Sequence, residues 1–142
     1  MPTPLIVGAW KLVAWENRAA DGRVTHPFGR DAVGYLLYTP EGHMCATLMR
    51  VGRPRFAAGD LLAGEPAEQL AAVRGYLSYA GRYTFLGDTI LHHVEVSLFP
   101  NWIGTDQERL VDQSGDRLTL STRPLRISGE LQTGHLVWER AA

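Results

Sequence analysis

The segment His92-His93-Val94-Glu95-Val96-Ser97 sets two imidazoles, a carboxylate and a hydroxyl within six residues. Its polar–apolar alternation predicts a β-strand, in which successive side chains point to opposite faces. His93, Glu95 and Ser97 then share one face with Leu91 and Phe99, while His92 joins Val94, Val96 and Leu98 on the other. If the first face lines an interior, His93 is placed as a base, Glu95 orients or charges it, and Ser97 is a hydrogen-bond partner. On a solvated outer face the same trio is ordinary. His92 has its own two readings: a satisfied core histidine, or the one polar group that orients a ligand in an apolar pocket. His92, His93 and Glu95 are therefore the candidates for proton transfer, and the periodicity leaves the choice of face open.

Other chemistry-bearing residues are scattered, and their types suit contact with a ligand better than reaction. Tyr38 and His43 flank the turn Pro40-Glu41-Gly42. Trp102 follows Pro100 and Asn101 at the end of the histidine strand, and Arg123 precedes Pro124 at a strand end. Strand parity puts Trp10, Gly8, Leu12, Ala14 and Glu16 on one face, leaving Lys11, Val13 and Trp15 on the other. With Ser97 and the late Trp138, the candidate binding residues are Trp10, Glu16, Tyr38, His43, Ser97, Trp102, Arg123 and Trp138. No metal is expected, because His92 and His93 diverge and a zinc site needs three or four converging ligands. No cofactor is expected either: neither a phosphate-cradling glycine loop nor a nucleophile elbow is present. Cys45, the single cysteine, shares a face with His43 and Thr47 and reads as a buried thiol.

The elements that must position these residues are mostly short strands. Val7 to Glu16, Val33 to Thr39, His43 to Met49, Tyr83 to Leu86, Thr89 to Phe99, Glu108 to Gln113, Arg117 to Ser121 and His135 to Arg140 are eight, and Leu125 to Leu131 is a possible ninth. Turn signals such as Gly87-Asp88 and Ser114-Gly115-Asp116 separate them, the pattern of a sandwich or barrel. Glu65 to Ala80 departs from this rhythm: Leu70, Val73 and Leu77 fall at helical spacing, and Pro66 suits a first turn. Tyr76, Tyr79 and Tyr83 then read as packing between helix and barrel. Val51 to Gly64, with its arginines and glycines, reads as a long loop. The expected fold is one mainly β domain, a closed antiparallel barrel of about eight to nine strands with one α-helix packed on or capping it.

Several segments resemble one family. Gly8-Ala9-Trp10 is the G-x-W that opens lipocalin-type barrels, in which the indole plugs the narrow end and a basic residue of the last strand covers it. Arg140 is in the right place for that role. Asp31 to Tyr35, Tyr38 to Met44, His92 to Gln107 and Leu136 to Arg140 look like the bacterial and fungal lipocalin-like domain family, in the same order along nearly the whole chain. The resemblance implies binding of small hydrophobic molecules, and by analogy of fold alone an isomerase or cyclase activity.

Composition limits the alternatives. The net charge of −1 and the absence of a basic run argue against a nucleic-acid partner. One cysteine, no apolar run near the roughly 20 residues of a membrane helix, and no leader-like N-terminus point to a soluble cytoplasmic protein without a membrane partner. The leading expectation is binding of a small apolar or amphipathic molecule. The others are a cofactor-free isomerase or cyclase using His and Glu, and a homodimeric structural module.

Overall fold

The computed structural model describes residues 5–141, with ten strands and one helix. They are β1 (Gly8–Ala19), β2 (Val24–Thr25), β3 (Val33–Tyr38), β4 (His43–Met49), α1 (Pro66–Arg74), β5 (Tyr76–Phe85), β6 (Thr89–Ser97), β7 (Asp106–Ser114), β8 (Arg117–Ser121), β9 (Leu125–Ile127) and β10 (Glu130–Arg140). Every pairing is antiparallel, in the order β2-β1-β3-β4-β5-β6-β7-β8-β10-β9. β1 pairs with β10 as well as with β3, so eight strands close on themselves and β2 and β9 lie outside the ring. Closure satisfies the edge hydrogen bonds that an open sheet leaves unpaired.

Alternation fills the interior. Ile90, Val94, Leu36, Leu48, Leu118 and Trp138 point inward from five strands and are almost wholly buried. Each fully buried aliphatic side chain of this kind stabilises the fold by about 1.5–3 kcal/mol. Trp10 closes one end: its indole N–H donates to the Ile6 carbonyl at 2.8 Å, and the Arg140 guanidinium lies 4.2 Å from its ring centroid. Arg140 also donates to the carbonyls of Val7 and Leu5, tying the chain start to the last strand. Gly8 adopts φ +129°, a backbone conformation that favours glycine, and a Cβ there would stand 3.0 Å from that guanidinium and press it aside. The basic cover over the plug, implied by the family resemblance, is thus present.

Two bulges decide which residues face inward. Leu12 pairs with Trp138 and Ala14 with Val137, so Val13 is an extra residue in β1. Beyond it the parity reverses. Trp15 and Asn17 therefore turn inward and Glu16 turns outward, the opposite of what unbroken alternation from Trp10 predicts. In β6 the extra residue is Glu95: Gly81 pairs with Val94 and Ala80 with Val96. A Cβ on Gly81 would come within 2.0 Å of the His93 carbonyl oxygen, so the second bulge needs this glycine. Val96, on the apolar face of the unbroken pattern, is consequently 68% exposed.

The helix is shorter than the spacing predicts. It spans Pro66–Arg74, with Pro66 in the first turn and a Glu65/Glu68 capping box, and the chain turns into β5 directly after Gly75. Tyr76 to Ala80 are strand residues, since pairing with β4 at every position from Met49–Tyr76 to His43–Arg82 outweighs a helical spacing that Gly75 already weakens. No residue of α1 is buried, so it lies on the barrel without sealing it. Arg53 anchors it by donating to the Ala72 carbonyl at 3.1 Å.

Candidate functional site

Beyond the Trp10 plug the interior holds a cavity of about 60 Å³. Its wall is mainly apolar, with Leu36, Leu48, Leu77, Leu120 and Leu136 among the aliphatics and Trp15, Tyr79, Trp102 and Trp138 among the aromatics. The polar groups on the wall are few: Asn17, Tyr79, His92, Arg109, Thr122 and the indole N–H groups. A volume this small lies well under the ~150 Å³ of an apolar cavity that admits benzene. A ligand of one ring therefore needs side chains at the wall to give way.

His92 is the most enclosed polar residue, at 0% exposure in the middle of β6. Its Nε2 is 2.6 Å from the Tyr38 hydroxyl and its Nδ1 is 2.9 Å from the Tyr79 hydroxyl. Burial, with a smaller contribution from the Arg109 charge, lowers its pKa to about 3, so the ring is neutral at neutral pH. Burial likewise raises the pKa of both tyrosines, and they keep their protons. Counting hydrogens then fixes the direction of the chain. Tyr38 has no other partner among the described residues, so if Nε2 were the donor, the phenol hydrogen would be stranded at a cost of about 1–3 kcal/mol. Tyr38 therefore donates to Nε2, and Nδ1–H donates to the Tyr79 oxygen. The Tyr79 hydrogen is left over, and Tyr79 lines the cavity where Tyr38 does not.

Arg109 comes from β7 and is 6% exposed. One guanidinium nitrogen donates to the Glu108 carbonyl at 2.9 Å, and the group lies 5.8 Å from the Trp102 ring centroid. Among the described residues no carboxylate forms an ion pair with it. Trp102 stands on the short turn Pro100–Trp102 and meets the Tyr79 ring edge-on at 5.4 Å. Opposite, the Trp138 indole nitrogen is buried without a hydrogen-bond partner.

The family model for the lipocalin-like domain matches residues 7–141. The chain belongs to the lipocalin-like domain family. A relative, the 4'-hydroxy-3'-methoxypropiophenone carrier protein ppsC of Aspergillus oryzae, is 43% identical over 106 residues, covering 68% of this chain and 96% of its own length. No solved structure matches the chain.

In this lipocalin-like barrel the candidate residues separate by position. His92, Trp102 and Trp138 line the cavity, and Tyr38 lies directly behind it. Trp10 is the end plug. His93 and Glu95 are on the outer face, where His93 hydrogen-bonds Asp106 at 2.7 Å and Thr84 at 2.8 Å. Glu95 is the exposed bulge residue and does not meet His93 in an interior. Glu16, turned outward by the first bulge, accepts from Arg18 at 2.6 Å. Ser97 sits opposite Tyr79 but its hydroxyl accepts from the Phe99 N–H. His43 is exposed at the start of β4, and Arg123 is exposed and paired with Glu108 at 2.7 Å. Sequence reasoning missed Trp15, Asn17, Tyr79, Arg109 and Thr122. Strand parity within β7 offered a signal for Arg109, which alternates with half-buried Glu108 and exposed Leu110, whereas Trp15 and Asn17 depend on a bulge that leaves no local trace.

Among the described residues no helix is long and apolar enough to cross a membrane, and no cluster of three metal-ligating side chains occurs.

Proposed function

We propose that this protein is a carrier for a small, largely aromatic molecule held inside the barrel. The carrying observation is a cavity walled by leucines and four aromatic rings, with its polar groups few and fixed. The relative named as a carrier of a single-ring aromatic ketone supports the same reading. Trp15, Trp102 and Trp138 report directly on occupancy, so 4'-hydroxy-3'-methoxypropiophenone is the first molecule to titrate against tryptophan fluorescence. Saturable one-to-one quenching is expected. Ala46→Phe, which fills the wall from β4, should abolish it while the barrel stays folded. Quenching that persists unchanged in that variant would place the ligand outside the barrel.

The reading as a cofactor-free isomerase or cyclase retains one observation, the Tyr38–His92–Tyr79 chain, which joins the interior to a neutral imidazole. In that reading His92 moves the proton, and turnover of a bound aromatic ketone is lost in His92→Gln. Equal turnover in this variant and the parent removes it. Apolar outward positions of β3 and β4, Val33, Tyr35, Leu37 and Met49, are the surface through which a homodimer would form, and sedimentation of the chain as a monomer would exclude one.

A further inference from the structure

The polar groups on the cavity wall are matched in an uneven way. Each side-chain acceptor already has a donor. The Asn17 carbonyl oxygen accepts from the Trp15 indole at 3.1 Å, Thr122 Oγ1 accepts from the Gly134 N–H at 2.8 Å, and both His92 nitrogens are engaged by tyrosines. Donors, by contrast, are left over. The Trp138 indole N–H is buried and unpartnered, the Tyr79 hydroxyl hydrogen is unspent, and Arg109, which reaches one backbone carbonyl and the Tyr79 oxygen, keeps further N–H groups of its five. No Asp or Glu stands on the wall. A buried cation without a carboxylate is costly unless another negative group compensates it.

We infer that the ligand is an aromatic molecule bearing a ring-conjugated oxygen, which the cavity takes as the anion with that oxygen set toward Arg109, Tyr79 and Trp138. This rests on the carrier reading and names the class of molecule carried. Aromatic walls on several sides suit a flat ring. A donor-rich, acceptor-saturated wall favours an oxygen that accepts several hydrogen bonds and rejects a ligand that brings only donors. The titratable groups facing that oxygen are Tyr79 from β5 and His92 from β6, with Tyr38 from β3 behind His92, all neutral at neutral pH, so Arg109 from β7 is the one charge it meets. A phenol entering this site releases its proton to solvent, and the phenolate stays.

The probes are 4-nitrophenol, whose phenolate absorbs at longer wavelength than the phenol, and 4-nitroanisole, which has the same ring and no proton to lose. With the parent protein, bound 4-nitrophenol should show phenolate absorption at a pH where the free probe is mostly protonated. It should also bind about ten- to hundredfold more tightly than 4-nitroanisole. Arg109→Met, an apolar replacement of similar length that buried ion sites often tolerate, should erase the spectral shift and the preference for 4-nitrophenol over 4-nitroanisole. Tyr79→Phe should lose part of the preference and keep the shift, which shows the effect without removing the buried charge. Equal affinity for the two probes, unchanged by Arg109→Met, overturns the inference and leaves the carrier reading standing. Failure of both probes and of the propiophenone to bind overturns both.

Discussion

His92 shows how one buried side chain sets a pH response. Its pKa is lowered from an ordinary 6.5 to about 3 by burial first and the Arg109 charge second, so the native state resists the proton that the unfolded chain accepts. Above about pH 6.5 both states hold neutral His92 and it contributes nothing to the pH dependence. Between 6.5 and 3 the unfolded state binds the proton and the native state does not. Stability therefore falls with falling pH across that window, by about 1.4 kcal/mol per unit from this one group. Urea unfolding at pH 7, 5 and 4 should show the midpoint dropping, and His92→Gln should flatten the slope. His135 is shifted in the same direction by partial burial, so the parent–variant difference is the quantity that isolates His92. An identical slope in the two proteins would mean that His92 is not a proton-excluding group.

At the scale of the element, two extra residues do more to shape the interior than any single contact. Val13 shifts the second half of β1 by one position, which brings Trp15 and Asn17 to the cavity wall and sends Glu16 out to Arg18. Deleting Val13 removes the extra residue and leaves the pairings beyond it intact, so Trp15 stays inward and Glu16 outward in plain alternation from Leu12. Such a chain should keep saturable tryptophan quenching by the ligand, and loss of that quenching would show that the bulge itself, and not the residue count alone, shapes the wall. The β6 bulge is held by Gly81 against the His93 carbonyl. Gly81→Ala forces backbone apart, and a destabilisation of about 1–3 kcal/mol, at the upper end for a clash with main chain, is expected in thermal unfolding. A neutral result there would show that the two strands separate at little cost.

For the whole molecule, the barrel's economy is in its two ends. One is sealed by Trp10 under Arg140, with the first strand laid between β3 and β10. The wall beyond the plug is tight, and a Leu120→Ala exchange tests how much of it is packing and how much is space for a guest. Truncating this buried leucine should cost about 2–5 kcal/mol and enlarge the cavity. Ligands with a second ring should then bind more tightly to the variant than to the parent, measured by the same fluorescence titration. Stability that recovers on adding such a ligand would tie the two effects together, since a molecule that binds only the native state raises its stability by mass action.

Local chemistry was enough to determine much of this protein. Turn residues and alternation mark the strands of the ring and Gly8-Ala9-Trp10 marks its plug, while the choice between His92 and His93 as the inward histidine stays open until the barrel closes. The segment Tyr76 to Ala80 could not be read that way, because Leu70, Val73 and Leu77 fit a helical stripe and only pairing with β4 across the sheet reveals a strand. The cavity's membership was equally hidden. Side-chain direction in a strand follows from residue count, and a bulge changes the count at a place fixed by a neighbouring strand rather than by the sequence around it. Trp15, Asn17 and the outward Glu16 and Glu95 were therefore decided by tertiary structure alone, as was the meeting of Tyr38, Tyr79 and His92 from three strands.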